Sequence, residues 1–136
     1  MMENSTLIRV KDVMKTDFGT IDGTATVADA LKKMKSLKTA VLIVNKRNED
    51  DEYGMLTSGD IARHVLAKDR APDRVNVYEI MSKPVISVHP DMDIRYCSRL
   101  FADYNLVRAP VIDNRTVVGI VSPNSLVLDG LYKIIQ

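Results

Sequence analysis

The sequence has one cysteine among 136 residues, so no internal disulfide can form, and no Cys/His spacing resembles a zinc site. Neither an oxidising compartment nor a structural metal is indicated, and the expected location is the cytoplasm. No stretch approaches the roughly 18 apolar residues that a spanning helix requires, and residues 1–6 carry an acid and no apolar leader core. Neither membrane insertion nor secretion is therefore expected. Charge of one sign is also lacking: 19 Lys and Arg face 18 Asp and Glu, a net charge of +1, which leaves out the basic footprint of a general nucleic-acid binder. Missing too are a Gly-x-Gly-x-x-Gly fingerprint and a Walker-type loop, the usual supports of dinucleotide redox chemistry and nucleotide hydrolysis. His64 has no Ser, Cys or Asp at a recognisable catalytic spacing, so no enzyme is expected.

What the sequence does contain is itself, twice. Val10-Lys11-Asp12-Val13-Met14 aligns with Val77-Tyr78-Glu79-Ile80-Met81 at an offset of 67 residues. At that offset Thr20-Ile21 meets Ser87-Val88, and Val27, Ala30, Met34 and Leu37 meet Ile94, Cys97, Phe101 and Tyr104. Both apolar sets follow helical spacing, with Leu31 completing the first face. Thr24 or Thr26 can cap the first helix and Asp91 or Asp93 the second. Val41 to Asn45 and Ala109 to Asp113 read as short buried strands, followed by second strands over 53–57 and 117–122. Turn 46–52 predicts a solvated, mobile hairpin loop. Further helices are predicted over 59–67 and 124–134. Each copy thus reads β-α-β-β-α. Residues 68–76, with Pro72 and mixed charge, predict a linker between a first repeat at 7–67 and a second at 77–136.

These residues resemble a known family. The leading Val-Met segments, Gly54-Met55-Leu56-Thr57-Ser58-Gly59-Asp60-Ile61, Ala109-Pro110-Val111-Ile112-Asp113 and Gly119-Ile120-Val121-Ser122 look like those of CBS domains, named for cystathionine β-synthase. The resemblance covers 7–136, a tandem pair called a Bateman module, and predicts no separate enzyme or DNA-binding domain in the chain. It implies an α/β (α+β) fold of two β-α-β-β-α repeats packed through their sheets with pseudo-twofold symmetry, and clefts for adenosine-containing ligands.

Thr57 and Asp60 put a hydroxyl and a carboxylate three residues apart at a strand-to-helix junction, with Gly59 permitting close approach to the backbone. A carboxylate can accept hydrogen bonds from both ribose hydroxyls, while the threonine and the N–H groups of the helix start can face a phosphate. In the family the matching Thr and Asp do this. Thr-x-x-Asp at a helix start is also an ordinary cap, and capping does not exclude ribose contact. In the second copy the run is Ser122-Pro123-Asn124-Ser125, with a serine for the acid, so one competent site is expected, centred on Asp60. Arg108 matches a position where the family often carries a basic residue in the cleft, and its fork suits phosphate. Lys38, Thr39, Arg63 and His64 are further candidates, Lys38 and Arg63 being equally readable as solvated surface charges. Thr20, Ile21, Val41, Ser87, Val88 and Ala109 are expected to line the pocket, though apolar strand residues are more often core.

His89-Pro90-Asp91-Met92-Asp93 is explained by a turn and a cap, and Cys97 by a small buried hydrophobe. The leading expectation is a non-catalytic energy-sensing module that needs no cofactor. It would bind AMP, ADP or ATP, with NAD and S-adenosylmethionine as further adenosine-containing candidates, and act on a regulated partner protein by conformational change. The competing expectation is a homodimerisation module, pairing through helix faces over a vestigial cleft.

Overall fold

A computed structural model describes residues 7–136; residues 1–6, on which the expectation of no apolar leader core rested, lie outside the described residues. The elements run α1 (Val10–Val13), β1 (Thr20–Ile21), α2 (Val27–Leu37), β2 (Val41–Val44), β3 (Gly54–Thr57), α3 (Ser58–Ile61), α4 (Ile94–Asp103), β4 (Ala109–Asp113), β5 (Thr116–Val121) and α5 (Tyr132–Ile134). Wide π-helical turns extend α3 through Ala62–Leu66 and precede α5 over Ser125–Leu131, so the two helices predicted over 59–67 and 124–134 are composite. The chain forms a mixed α/β fold of two compact units. One is Phe18–Val85; the other joins the described residues through Asp17 to Ile86–Gln136.

In the Phe18–Val85 unit, β1 runs parallel to β2, and β2 is antiparallel to β3, with Val41 opposite Thr57 and Val44 opposite Gly54. Each of the four β2 side chains is buried, as the uninterrupted apolar run requires. Helix α2 crosses between β1 and β2. Thr26 caps it, its hydroxyl accepting from the Asp29 N–H at 3.1 Å, and Lys38 closes it in a left-handed conformation at φ 55°. Val27, Ala30 and Met34 reach the core, whereas Leu31 and Leu37 are exposed. The predicted apolar face is thus narrower than its spacing implied, because only the row facing Leu42, Val44 and Leu56 finds partners. The 68–76 segment is no bare linker: it carries a 3-10 turn at Pro72–Arg74 and buries Val75.

In the other unit β4 and β5 form a hairpin whose turn residues, Asn114 and Arg115, both have positive φ, 49° and 65°, as a two-residue turn matching the strand twist demands. The strand expected at Ser87-Val88 is reduced to one parallel bridge, Val88 with Val111. Proline explains the loss. Where Ile43 donates its N–H to Gly19 in the first copy, the residue 67 positions on is Pro110, and the next rung would need an N–H from Pro90. Asp93 caps α4, accepting from the Arg95 N–H at 2.8 Å. Ile94, Cys97 and Phe101 are buried, and burial raises the Cys97 thiol pKa to about 11. Tyr104, expected on the same face, is exposed because it is already the C-cap.

The compact units exchange their leading segments relative to the repeats. Lys15, from the start of repeat one, pairs with Ile120 of repeat two through two backbone hydrogen bonds of 2.9 Å, and Ser82 pairs with Met55 in the same way. Val10 donates to the Met92 carbonyl and Val77 to that of Ala25, each at 2.8 Å. Glycine makes this closeness possible. A Cβ on Gly119 would stand 2.8 Å from Met14 Sδ and 2.9 Å from the Lys15 carbonyl oxygen; on Gly54 it would stand 2.8 Å from Met81 Sδ and 3.1 Å from the Ser82 oxygen.

Gly119→Ala and Gly54→Ala are therefore expected to cost about 1–3 kcal/mol each, the former more, since both methyls meet backbone that cannot rotate away and the Gly119 one meets it at 2.9 Å against 3.1 Å. Urea denaturation reads this as a lower midpoint; an unchanged midpoint would show that the leading segments yield freely.

Candidate functional site

The end of β3 holds the candidate junction. Thr57 leaves the strand in an extended conformation and Ser58 begins the helix, its N–H tied to the Ala40 carbonyl at 2.9 Å. Thr57 and Asp60 cap each other: the Asp60 N–H donates to Thr57 Oγ1 at 3.2 Å, and the Thr57 N–H donates to Asp60 Oδ2 at 2.9 Å. Arg63, one turn on, donates from Nη2 to Asp60 Oδ1 at 2.8 Å. Asp60 is only 6% exposed, yet its carboxylate is not an orphan charge. Of the helix-start N–H groups expected to face a phosphate, those of Ser58 and Asp60 are already given away. Acceptor capacity also remains: an ionised carboxylate offers about four lone-pair positions, and these contacts use two.

The second junction is looser. Ser122 and Ser125 face one another at 3.4 Å between hydroxyls, and the Ser125 N–H reaches Ser122 Oγ at 3.4 Å. Ser125 is buried and uncharged, so it brings no fixed anion to the position that Asp60 occupies in the first copy.

The remaining expected residues divide by environment. Thr20, Ile21, Val41, Thr57, Asp60 and Arg63 belong to the Phe18–Val85 unit; Ser87, Val88, Arg108, Ala109, Ser122 and Ser125 belong to the other. Ile21, Val41, Val88 and Ala109 are core side chains, which leaves their backbone as the group able to meet a ligand. Thr20 is half-buried and its carbonyl accepts from Lys33 Nζ. Ser87 and Lys38 are exposed, and Arg108 and His64 are half-buried. Thr39 turns its hydroxyl onto the backbone of Val41. His89 accepts the Asp91 N–H on Nδ1 and faces Asp113 with Nε2 at 3.5 Å, and among the described residues no three His, Cys, Asp or Glu side chains gather as metal ligands would.

Two hollows of the Phe18–Val85 unit lie toward the other end of β2. A small one of about 320 Å³ is bordered by Thr20, Ile21, Asp29 and Lys33. A larger one of about 830 Å³ is walled by Val44, Tyr78 and Met81 and rimmed by Lys46, Arg47 and Lys83. The 46–52 turn beside it is anchored, not the bare solvated loop its composition predicts. Asp51, with its side chain 8% exposed, takes Arg47 Nε at 3.0 Å and Lys83 Nζ at 2.8 Å. Sequence reasoning missed this contact, because Lys83 stands 32 positions away with no pattern linking the two.

The CBS domain model matches residues 10–67 and 77–128. The chain belongs to the CBS domain family. It is 32% identical over 122 residues to the CBS domain-containing protein YhcV of Bacillus subtilis, covering 90% of this chain and 85% of that one. An uncharacterised Methanopyrus kandleri protein is 32% identical over 117 residues, 85% of this chain, which spans 59% of that protein's length. Among solved structures, the hexameric CBS-CP12 protein from bloom-forming cyanobacteria superposes with a TM-score of 0.89 at 40% identity, over 93% of this chain and 70% of that one. No described helix of this CBS protein is long and apolar enough to cross a membrane.

The Asp51 anchor has a pH signature. The Arg47 guanidinium first, and the Lys83 ammonium next, hold its carboxyl well below the usual carboxylate range. A depressed folded-state pKa stabilises fully above the pH at which an unfolded-chain aspartate titrates, near 3.9, and progressively less below it. Asp51→Asn is expected to lower the urea midpoint at pH 7, with the gap to wild type narrowing toward pH 3. A gap that stays constant over that range would show that the two cations do not hold the carboxylate.

Proposed function

We propose that this CBS protein is a non-catalytic regulatory module of the cytoplasm that binds an adenine nucleotide at the Thr57–Asp60 junction and signals its occupancy to a partner protein. The observation that carries this reading is Asp60: a buried carboxylate, aimed by its own capping box, with acceptor positions left over, in a chain of this family. A ribose diol supplies two donors and leaves the nucleotide unchanged chemically. Thr57 keeps the carboxylate from rotating. Ser122 and Ser125 make the second junction the weaker one, so one ligand per chain is expected.

The test is calorimetry with AMP, ADP, ATP, NAD and S-adenosylmethionine. Asp60→Asn preserves the cap but removes the charge, and is expected to weaken the best ligand about tenfold or more, the worth of a charge-assisted hydrogen bond. No binding by wild type at millimolar ligand, or undiminished binding by the variant, would overturn the reading.

A second reading, self-association, has its own observation. Val127, Leu128, Leu131, Tyr132 and Ile135 on the C-terminal helical stretch are exposed, an apolar surface larger than scattered residues make. The CBS-CP12 relative is hexameric, which supports self-association. Sedimentation is expected to show a homodimer that Leu128→Glu with Ile135→Glu converts to monomer. A monomeric wild type at tens of micromolar would remove this reading, whereas a dimer that no nucleotide stabilises would favour it over the first.

A further inference from the structure

We infer that Arg63 is the selectivity element of the Asp60 site: it occupies the carboxylate when no ligand is bound, and favours ligands that carry phosphate over neutral nucleosides. This rests on the nucleotide reading above and adds to it which part of the ligand is discriminated.

The two halves of the Asp60–Arg63 pair differ in freedom. The Asp60 side chain is 8% exposed and fixed at Oδ2 by the Thr57 N–H, whereas the Arg63 side chain is 66% exposed and held by one contact at Oδ1. Its guanidinium folds back over Gly59, Nη1 lying 3.2 Å from where a Cβ on that residue would be. The folded-back arginine thus covers both the free edge of the carboxylate and the backbone beside it. A ribose diol needs that edge. The arginine is the half that moves.

Displacement has different consequences for different ligands. A neutral nucleoside that takes Oδ1 leaves Arg63 without an anion and gives it none in return. A nucleotide brings phosphate oxygens on the same molecule, and guanidinium matches these in a fork as well as it matches carboxylate. The arginine then exchanges one anion for another. Without Arg63 the logic reverses, because a phosphate would approach an uncompensated Asp60 while a nucleoside would find the carboxylate uncovered. An ordinary helix-surface ion pair three residues apart would produce neither effect, since such exposed pairs contribute little.

The experiment is calorimetry of the whole chain with AMP and with adenosine, comparing wild type, Arg63→Ala, Arg63→Lys and Asp60→Asn, with thermal unfolding as the folding control. Wild type is expected to prefer AMP about tenfold or more. In Arg63→Ala adenosine is expected to tighten about threefold or more while AMP weakens about tenfold, and Arg63→Lys is expected to recover part of the AMP affinity as a point charge. If Arg63→Ala shifts both ligands by one factor, or shifts neither, the inference fails while the Asp60 site stands. If wild type binds none of AMP, ADP, ATP, NAD and S-adenosylmethionine, or AMP binds Asp60→Asn undiminished, the site reading fails and takes this inference with it; if another of these binds wild type and AMP does not, the inference alone fails.

Discussion

Two pairs of backbone hydrogen bonds, Lys15 with Ile120 and Ser82 with Met55, set the conditions for everything else in this chain. Each ties the leading segment of one repeat to the hairpin of the other, satisfying edge groups that would otherwise stand unpaired. The hairpin that ends at Thr57 therefore takes its outer partner from residues beyond position 77, and the hairpin that ends at Val121 takes its own from residues before 18. Met14 and Met81 reach their hairpins only because residues 119 and 54 have no side chain. Neither repeat is a complete folding unit by sequence, although each is complete as a pattern. The duplication persists as symmetry of contact: the hydrogen bonds of Val10 and Lys11 recur at Val77 and Tyr78 with the same geometry.

Much of this was legible. The 67-residue offset, all five strands, the Thr26 and Asp93 caps as one of two candidates each, and the pairing of Thr57 with Asp60 follow from residue type and spacing, and each reappears in the structure. The exchange of leading segments was not legible, because periodicity says which face of a segment is apolar and nothing about which sheet edge it will join. The missing strand at Val88 was readable in principle. Pro90 and Pro110 remove the two donors a longer ladder would use, but that deduction needs the pairing register, which the sequence does not state. Leu31, Leu37 and Tyr104 joined the predicted faces on spacing alone, and spacing does not know where the opposing layer ends.

The candidate site shows the same division. That Thr57 and Asp60 form a reciprocal cap is local information, settled within four residues of chain. That Asp60 also holds Arg63 is nearly local, since residues three apart on a helix share a face, yet the direction of the arginine depends on Gly59 leaving room beneath it. Asp51 and Lys83 carry no local sign at all. A charged turn was expected to be solvated because its composition is polar, but one buried carboxylate with two cations outweighs composition and pins the turn to the segment after Met81.

A regulatory module needs more than a place to bind: its ligand must favour one arrangement of the protein over another by a difference in free energy. Asp60 is poorly suited to supply that difference, being buried and held at Oδ2 by the Thr57 N–H. Arg63 is suited to it. In the proposed reading the guanidinium has two homes, the carboxylate and the ligand, and the helical turn that carries it also carries Leu66, 78% exposed on the outer surface. Residues 63 and 66 are neighbours on that turn, so a ligand that relocates the arginine changes the charge pattern directly beside an exposed apolar side chain. In that reading recognition and message are divided between a buried acid and an exposed base, and a serine junction such as Ser122 and Ser125, having neither charge, carries packing but not that message.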